Sequence, residues 1–208
     1  MSKVSLVWAT PDAEKQIAYM ARVSNPANQN NEATAGKLLK FLMREKHWSP
    51  FEMVNVCMEI ECTRDIARQI LRHRSFSFQE FSQRYAVAEG YEISEARLQD
   101  EKNRQNSLPI VDKNQQEYWR LLQERVLKET RFCYEKALED GIAKEVARKL
   151  LPEGLTTSRM YMNGTLRSWM HYIDVRTDPS TQKEHREVAE QCKGILVKVA
   201  PSLFERTA

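Results

Sequence analysis

Residues 54–85 read VNVCMEIECTRDIARQILRHRSFSFQEFSQRY. At the start of this stretch Val54, Val56, Met58, Ile60 and Cys62 alternate with Asn55, Cys57, Glu59 and Glu61. That is the two-residue period of a strand with one buried face. Thr63 then caps a helix, TRDIARQILRHR, in which Ile66, Ile70 and Leu71 form the apolar side. Arg72, His73 and Arg74 fill its last turn, where cations sit favourably beside the exposed carbonyls. The following SFSFQEFSQRY alternates again and reads as extended. In that geometry Phe76, Phe78, Glu80, Ser82 and Arg84 share one face, and Ser75, Ser77, Gln79, Phe81 and Gln83 share the other.

Toward the N-terminus, Val4 to Trp8 reads as a short strand. Thr10-Pro11-Asp12 supplies a cap, a proline at the first helical position and an acidic first turn for a helix reaching about Ser24. SNPANQNNE is a turn-rich loop, and Leu38, Leu39, Phe41 and Leu42 mark a second helix that ends before His47-Trp48-Ser49-Pro50. Toward the C-terminus, Glu89 to Asn106 is polar and reads as a long excursion or a partly helical insertion. Asp112 to Asp140 is a long helix carrying Trp119, Leu122, Val126, Phe132 and Leu138, with Gly141 as its stop. IAKEVARKLL is a shorter helix meeting Pro152, Ser158 to Met162 a short strand, and Asn163-Gly164 a turn. Thr165 caps the next helix, on which Arg167 and His171 share a face. Arg176-Thr177-Asp178-Pro179 breaks the chain before a last helix with Val188, Ile195 and Val199. No repeat or linker divides residues 1–208, which are expected to form one domain.

The chain has 208 residues, 41% of them hydrophobic, and 32 Lys+Arg against 29 Asp+Glu leave a net charge of +3. A chain of this size buries roughly 70% of its unfolded surface and needs no staple. With no apolar run of about 18 residues and no signal peptide, a soluble, cytoplasmic protein without a membrane partner is expected. Cys57, Cys62, Cys133 and Cys192 form no CxxC pair and read as reduced, buried thiols. The charge is too small to make the whole surface a nucleic-acid trap, yet a local arginine cluster can hold a small anion. The six glycines form neither GxGxxG nor a P-loop, and GxSxG and HExxH are absent. A bound nucleotide would therefore need side chains to hold its phosphates.

Arg72-His73-Arg74, followed by Glu80, Ser82 and Arg84, gathers cationic forks, a carboxylate and a hydroxyl within a short span. Guanidinium groups pair two phosphate oxygens at once and keep their charge. Read plainly, the same residues are a basic helix end followed by a surface strand, with Glu80 paired to Arg84. A nucleic-acid-binding module is a further alternative, with arginines on phosphates and Phe76, Phe78 and Phe81 stacking bases. Those phenylalanines fall on both faces of the extended segment, which disfavours a stacking platform.

The stretch RHRSFSFQEFSQRY resembles the RHR-x7-S signature of flavin-dependent thymidylate synthases. His47-Trp48-Ser49-Pro50-Phe51-Glu52 resembles that family's H-x-x-P-F-E segment. Ala147-Arg148 through Pro152 resembles its A-R-x-x-L-P, and Arg167-Ser168-Trp169 through Arg176 its late R-x-W-x-H-x-x-x-x-R. The four ordered blocks cover most of the chain. The resemblance implies an α/β (α+β) fold with a mixed sheet and long helices, not a Rossmann fold, assembled as a homotetramer whose sites lie at subunit interfaces. It implies FAD as cofactor, dUMP as substrate, 5,10-methylenetetrahydrofolate as one-carbon donor and NADPH as reductant, yielding dTMP and tetrahydrofolate. Arg72, His73, Arg74 and Ser49 are expected to contact the flavin nucleotide, with His47, Thr165, Arg167 and His171 completing the flavin or folate side. Glu80, Ser82, Gln83 and Arg84 are expected to hold dUMP with Gln69 and Arg148, and Arg72 and Glu80 serve both ligands. Arg176 is expected to face the uracil and stabilise negative charge on it, as an oxyanion hole does. Thr165 stands where many members carry Asn, and Ser180 where some carry His. Ser82 has no assigned base to make it a nucleophile, so hydrogen bonding to phosphate is its expected role.

Overall fold

The computed structural model describes residues 2–88 and 90–205. Its strands are β1 (Lys3–Ala9), β2 (Asn55–Thr63), β3 (Ser77–Glu80), β4 (Arg97–Gln99), β5 (Ser107–Pro109) and β6 (Thr157–Thr165). Its helices are α1 (Ala13–Ala21), α2 (Ala35–Arg44), α3 (Arg64–Ile70), α4 (Lys113–Glu139), α5 (Lys144–Ala147), α6 (Leu166–Arg176), α7 (Lys183–Val199) and α8 (Pro201–Phe204). The α+β class expected from the sequence holds, but the sheet is antiparallel throughout rather than mixed, in the order β1-β2-β6-β3. No described helix is long and apolar enough to cross a membrane.

The alternation in β2 does what its pattern predicts except at Cys57, which belongs to the outward set yet is buried. Val56, Met58, Ile60 and Cys62 are buried on one face, and their neighbours in β6, Met160 and Met162, join the same core. Trp169 and Tyr172 of α6 pack onto this face, and the Trp169 indole donates to the Val56 carbonyl at 3.0 Å. From α7 come Val188, Ala189, Cys192 and Leu196, and from α1 and α2 come Ile17 and Leu39. The core thus ties the sheet to helices drawn from both ends of the chain.

Several local expectations are corrected. The first helix begins at Ala13, because Asp12 takes a left-handed conformation with φ of 49° and Thr10 bonds to Asn55 instead. The SNPANQNNE loop contains two short 3-10 turns, Pro26–Asn28 and Glu32–Thr34, clamped by the Arg22 guanidinium on the Asn31 carbonyl and the Thr34 hydroxyl. Helix α3 stops at Ile70, so Arg72, His73 and Arg74 lie in the turns beyond it rather than in its last turn. Thr63 flanks α3 without capping it, its hydroxyl donating to Asp65 at 2.5 Å.

The second extended segment is only four residues long, so Ser82 and Arg84 sit in a turn and not on the face of a strand. Asn163 and Gly164 are not a turn but part of β6, paired with Cys57 and Val56. The glycine has a packing reason, since a Cβ there would lie well inside contact distance of the Phe76 ring. The polar excursion forms the β4–β5 hairpin and no helix. Glu89, its first residue, lies outside the described residues. Helix α4 is confirmed, but Trp119, Leu122, Val126 and Phe132 face outward, and Gln123, Leu127, Thr130 and Tyr134 are its buried residues. Cys57, Cys62 and Cys192 are buried free thiols, whereas Cys133 on α4 is exposed.

Candidate active site

The turn after α3 is directed inward by Phe76, whose ring packs edge-on against Trp169 at 4.8 Å. This brings His73 against α6. Arg176, at the end of α6, donates from Nε to His73 Nε2 at 2.8 Å. A guanidinium can only donate, so His73 Nε2 must carry a lone pair and the imidazole must be neutral. Burial, then the charges of Arg176, His171 and Arg72, push the His73 pKa down to about 4, which agrees with that geometry. The ring also stands edge-on to Tyr172 at 5.0 Å. Arg72 and Arg74, on either side, are exposed, and among the described residues neither meets a carboxylate at ion-pair distance.

A cleft of about 800 Å³ opens between this turn, the Trp48–Glu52 segment and α6, lined among others by Trp48, Glu52, Ser75, Arg167 and His171. Glu52 organises it. One carboxylate oxygen accepts from Arg167 at 2.8 Å and the other from the Thr165 hydroxyl at 2.7 Å. Thr165 caps α6 as the sequence predicts, accepting from the Ser168 amide at 3.3 Å. A carboxylate beside that helix N-terminus is favoured by the helix dipole as well as by Arg167. Ser168 in turn donates to the Ser75 carbonyl at 3.2 Å and fastens the arginine turn to the helix. His47 is exposed against Phe41, with ring centres 6.2 Å apart, and Ser49 opens the 3-10 turn Ser49–Met53. Ser180 bonds to Asp178 through both its amide and its hydroxyl, at 2.8 and 2.6 Å.

Of the expected residues only Arg167 and His171 line this cleft; His47, Ser49, Arg72, His73, Arg74, Thr165 and Arg176 do not, and neither do the expected nucleotide residues. Glu80 accepts from Ser158 at 2.8 Å and from the buried Arg64 at 3.3 Å. Its ion-pair partner is therefore Arg64 and not Arg84, which pairs with Glu145 at 3.1 Å on the surface. Ser82 is exposed at the start of the turn holding Arg84, and Arg148 belongs to the 3-10 turn Arg148–Leu150. Gln83 is buried, and its Nε2 has no hydrogen-bond partner among the described residues. Such a donor is costly unless something accepts from it. Gln69 donates to Gln182 at 2.7 Å and faces His185 Nδ1 at 3.3 Å.

Three residues escaped the sequence reading: Glu52, Tyr172 and His185. Glu52 lies in a quoted segment, but only its two bonds on α6 reveal what it holds. His185 is wholly buried on the inward stripe of α7 with Val188, Ala189 and Cys192. A histidine in an apolar stripe is the signal that would have found it.

The family model described as thymidylate synthase complementing protein matches residues 5–202. The probable flavin-dependent thymidylate synthase of Paramecium bursaria Chlorella virus 1 is 53% identical over 192 residues, spanning 92% of this chain and 88% of that protein. The flavin-dependent thymidylate synthase of Synechocystis is 53% identical over 190 residues, spanning 91% and 87%. A crystal structure of the UMP/dUMP methylase PolB from Streptomyces cacaoi, bound with 5-Br dUMP, superposes with a TM-score of 0.87 at 28% identity, covering 99% of this chain and 93% of that one. Fold and relatives together define a methyl-transferring enzyme built on an antiparallel sheet. The chain belongs to the flavin-dependent thymidylate synthase family.

Proposed function

We propose that this chain carries out the reductive methylation of dUMP to dTMP in the cytoplasm, with FAD as its flavin, NADPH as reductant and 5,10-methylenetetrahydrofolate as one-carbon donor. The methylene carbon moves to C5 of the pyrimidine, two electrons and a proton from NADPH and water complete the methyl group, and tetrahydrofolate and NADP leave. The observation that carries this reading is the neutral His73 holding Arg176, flanked in sequence by two exposed arginines that meet no carboxylate among the described residues.

The donor set fits a phosphate-bearing flavin. Arg72 and Arg74 have free guanidinium groups, the chain has no glycine-rich cradle, and Glu52 fixes Arg167 at the edge of a cleft of about 800 Å³. FAD would be held by Arg72, His73 and Arg74 with Ser49, and His47, Thr165, Arg167 and His171 would complete the flavin or folate side. Bound flavin supplies the two-electron redox chemistry between NADPH and the pyrimidine. The chain's own part is to bind, orient and polarise. Arg176 places a fixed positive charge beside the uracil, where negative charge develops, and His73 keeps that guanidinium aimed without adding a second charge. Glu80, Ser82, Gln83, Arg84, Gln69 and Arg148 take the nucleotide, and the unpartnered Gln83 amide supports a ligand acceptor there.

Expected residues fall on different surface regions of one chain, which supports sites completed between subunits of a homotetramer. Outward-facing Leu121 and Phe132, which share one side of α4, offer apolar surface for such an assembly. The nucleic-acid alternative loses its stacking platform, since Phe76 is buried against Trp169. The test is reconstitution. Protein with FAD, NADPH, methylenetetrahydrofolate and dUMP forms dTMP, and omitting any one abolishes it beyond a single turnover. Sustained dTMP formation without NADPH or without flavin would overturn the reading.

A further inference from the structure

Tyr172 and His185 lie in the core beneath the site and take no part in the functions assigned above. His185 Nε2 lies 3.2 Å from the Tyr172 hydroxyl, and His185 Nδ1 lies 3.3 Å from Gln69 Oε1. The direction of every bond around this imidazole can be fixed from the surface inward. Glu184 is paired with Arg97 at 2.6 Å, so its carboxylate only accepts. Gln182 Nε2 donates to it at 3.1 Å, which leaves Gln182 Oε1 to accept from Gln69 Nε2 at 2.7 Å. Gln69 Oε1 is then an acceptor, so His185 must carry its proton on Nδ1 and accept the Tyr172 hydroxyl at Nε2. One carboxylate on the surface thereby sets two amide orientations, one histidine tautomer and one hydroxyl.

We propose that His185 is a positioning residue for nucleotide binding: its Nδ1–H holds the Gln69 carbonyl inward, so that the Gln69 amide presents its NH2 group to an anionic oxygen of the substrate. The proposal rests on the reading of Gln69 as a nucleotide contact. An amide NH2 has two hydrogens, so the bond to Gln182 leaves one for a ligand. If the amide turned over, a carbonyl would face the phosphate and repel it. The neutral imidazole suits this task, because a second cation here would oppose Arg176. Burial, then the charges of Arg176 and His73, press His185 down to about 3. The same ring accepts from the Tyr172 hydroxyl, against whose ring His73 stands, so one buried group touches both the Gln69 amide and the support of His73.

Two substitutions separate positioning from packing. The amide of His185→Asn reaches the place of Nδ1 and can still donate to Gln69, whereas that of His185→Gln reaches the place of Nε2 and serves only Tyr172. Flavin-loaded wild type and both variants are assayed for turnover and for dUMP binding at equilibrium. His185→Gln raises KM and Kd for dUMP about tenfold with kcat held within about twofold, the size of one lost buried hydrogen bond. His185→Asn returns both to within about threefold of wild type, and adding Gln69→Ala to His185→Gln brings no further loss. Unchanged KM in both variants, equal impairment of the two, or a fully additive Gln69→Ala effect would overturn the proposal. Should His185→Gln fail to fold, Glu184→Gln reads the same chain from its surface end. There the two amides lose their fixed sense and KM for dUMP rises at constant kcat, and an unchanged KM counts against the proposal. Wild type that binds no dUMP overturns the functional reading itself, a result distinct from any difference among the variants.

Discussion

The bond from Arg176 Nε to His73 Nε2 joins a residue of fixed positive charge to one that must stay uncharged. If Arg176 stabilises negative charge on the pyrimidine, Arg176→Ala lowers kcat for dTMP about a hundredfold or more, the loss typical of removing one preorganised donor. The variant still purifies with FAD if, as proposed, Arg72 and Arg74 hold the flavin phosphates. Turnover within about threefold of wild type, measured by dTMP release, would remove Arg176 from the chemistry. The neutral histidines also predict a pH dependence of stability. His73 falls from 6.5 to about 4 and His185 from 6.5 to about 3 on folding. Between those values the unfolded chain binds protons that the folded chain refuses, so their contribution is complete above about pH 6.5 and is lost as pH falls toward 4. Thermal unfolding measured from pH 7 to pH 5 shows Tm falling, and more shallowly in a His73→Gln/His185→Gln double variant. Parallel curves for the two proteins would contradict the assigned protonation states.

Elements with one clear face were legible in the sequence. β2 follows its alternation except at Cys57, which is buried as well, and α6 begins where Thr165 caps it. β6 was legible only in part, because Asn163-Gly164 has the composition of a turn. Its conformation is set instead by nine paired positions on β2 and by the Phe76 ring lying over the glycine. That close approach predicts that Gly164→Ala is destabilising by about 1–3 kcal/mol, the usual cost of forcing extra volume into a packed core. Chemical denaturation gives the value, and a loss under about 0.5 kcal/mol would show that the ring moves aside freely. The arginine turn was readable as chemistry but misplaced as structure. Charges at a helix end look alike in sequence whether the helix includes them or stops before them, and here the pull of Phe76 into the core ends the helix at Ile70. Glu52 was equally hidden, since its partners on α6 lie more than a hundred residues away.

At the scale of the whole molecule, α4 shows what single-chain periodicity leaves undecided. Its apolar residues are spaced for burial, yet Val126 is 48% and Phe132 65% exposed while polar Gln123 and Thr130 are inside. The helix has two usable faces, and the sequence does not say which one the same chain covers. The proposed homotetramer, in which another copy covers the second face, predicts a particle of about four times the 24.4 kDa chain mass in light scattering. Leu121→Glu with Phe132→Glu lowers that mass and, if sites are shared between subunits as proposed, lowers FAD retention with it. A monomer with full flavin content would contradict shared sites.

The central claim is that one protein binds flavin and uses it on dUMP. The most direct measurement is the visible absorption spectrum of purified protein reconstituted with FAD, followed during anaerobic reduction by NADPH with and without dUMP. The account predicts a bound-flavin spectrum, bleaching by NADPH whose course responds to dUMP, and recovery of the oxidised spectrum with release of dTMP when methylenetetrahydrofolate is added. Protein that takes up no FAD, or a bound flavin whose spectrum and reduction are indifferent to dUMP and whose oxidation yields no dTMP, would contradict it.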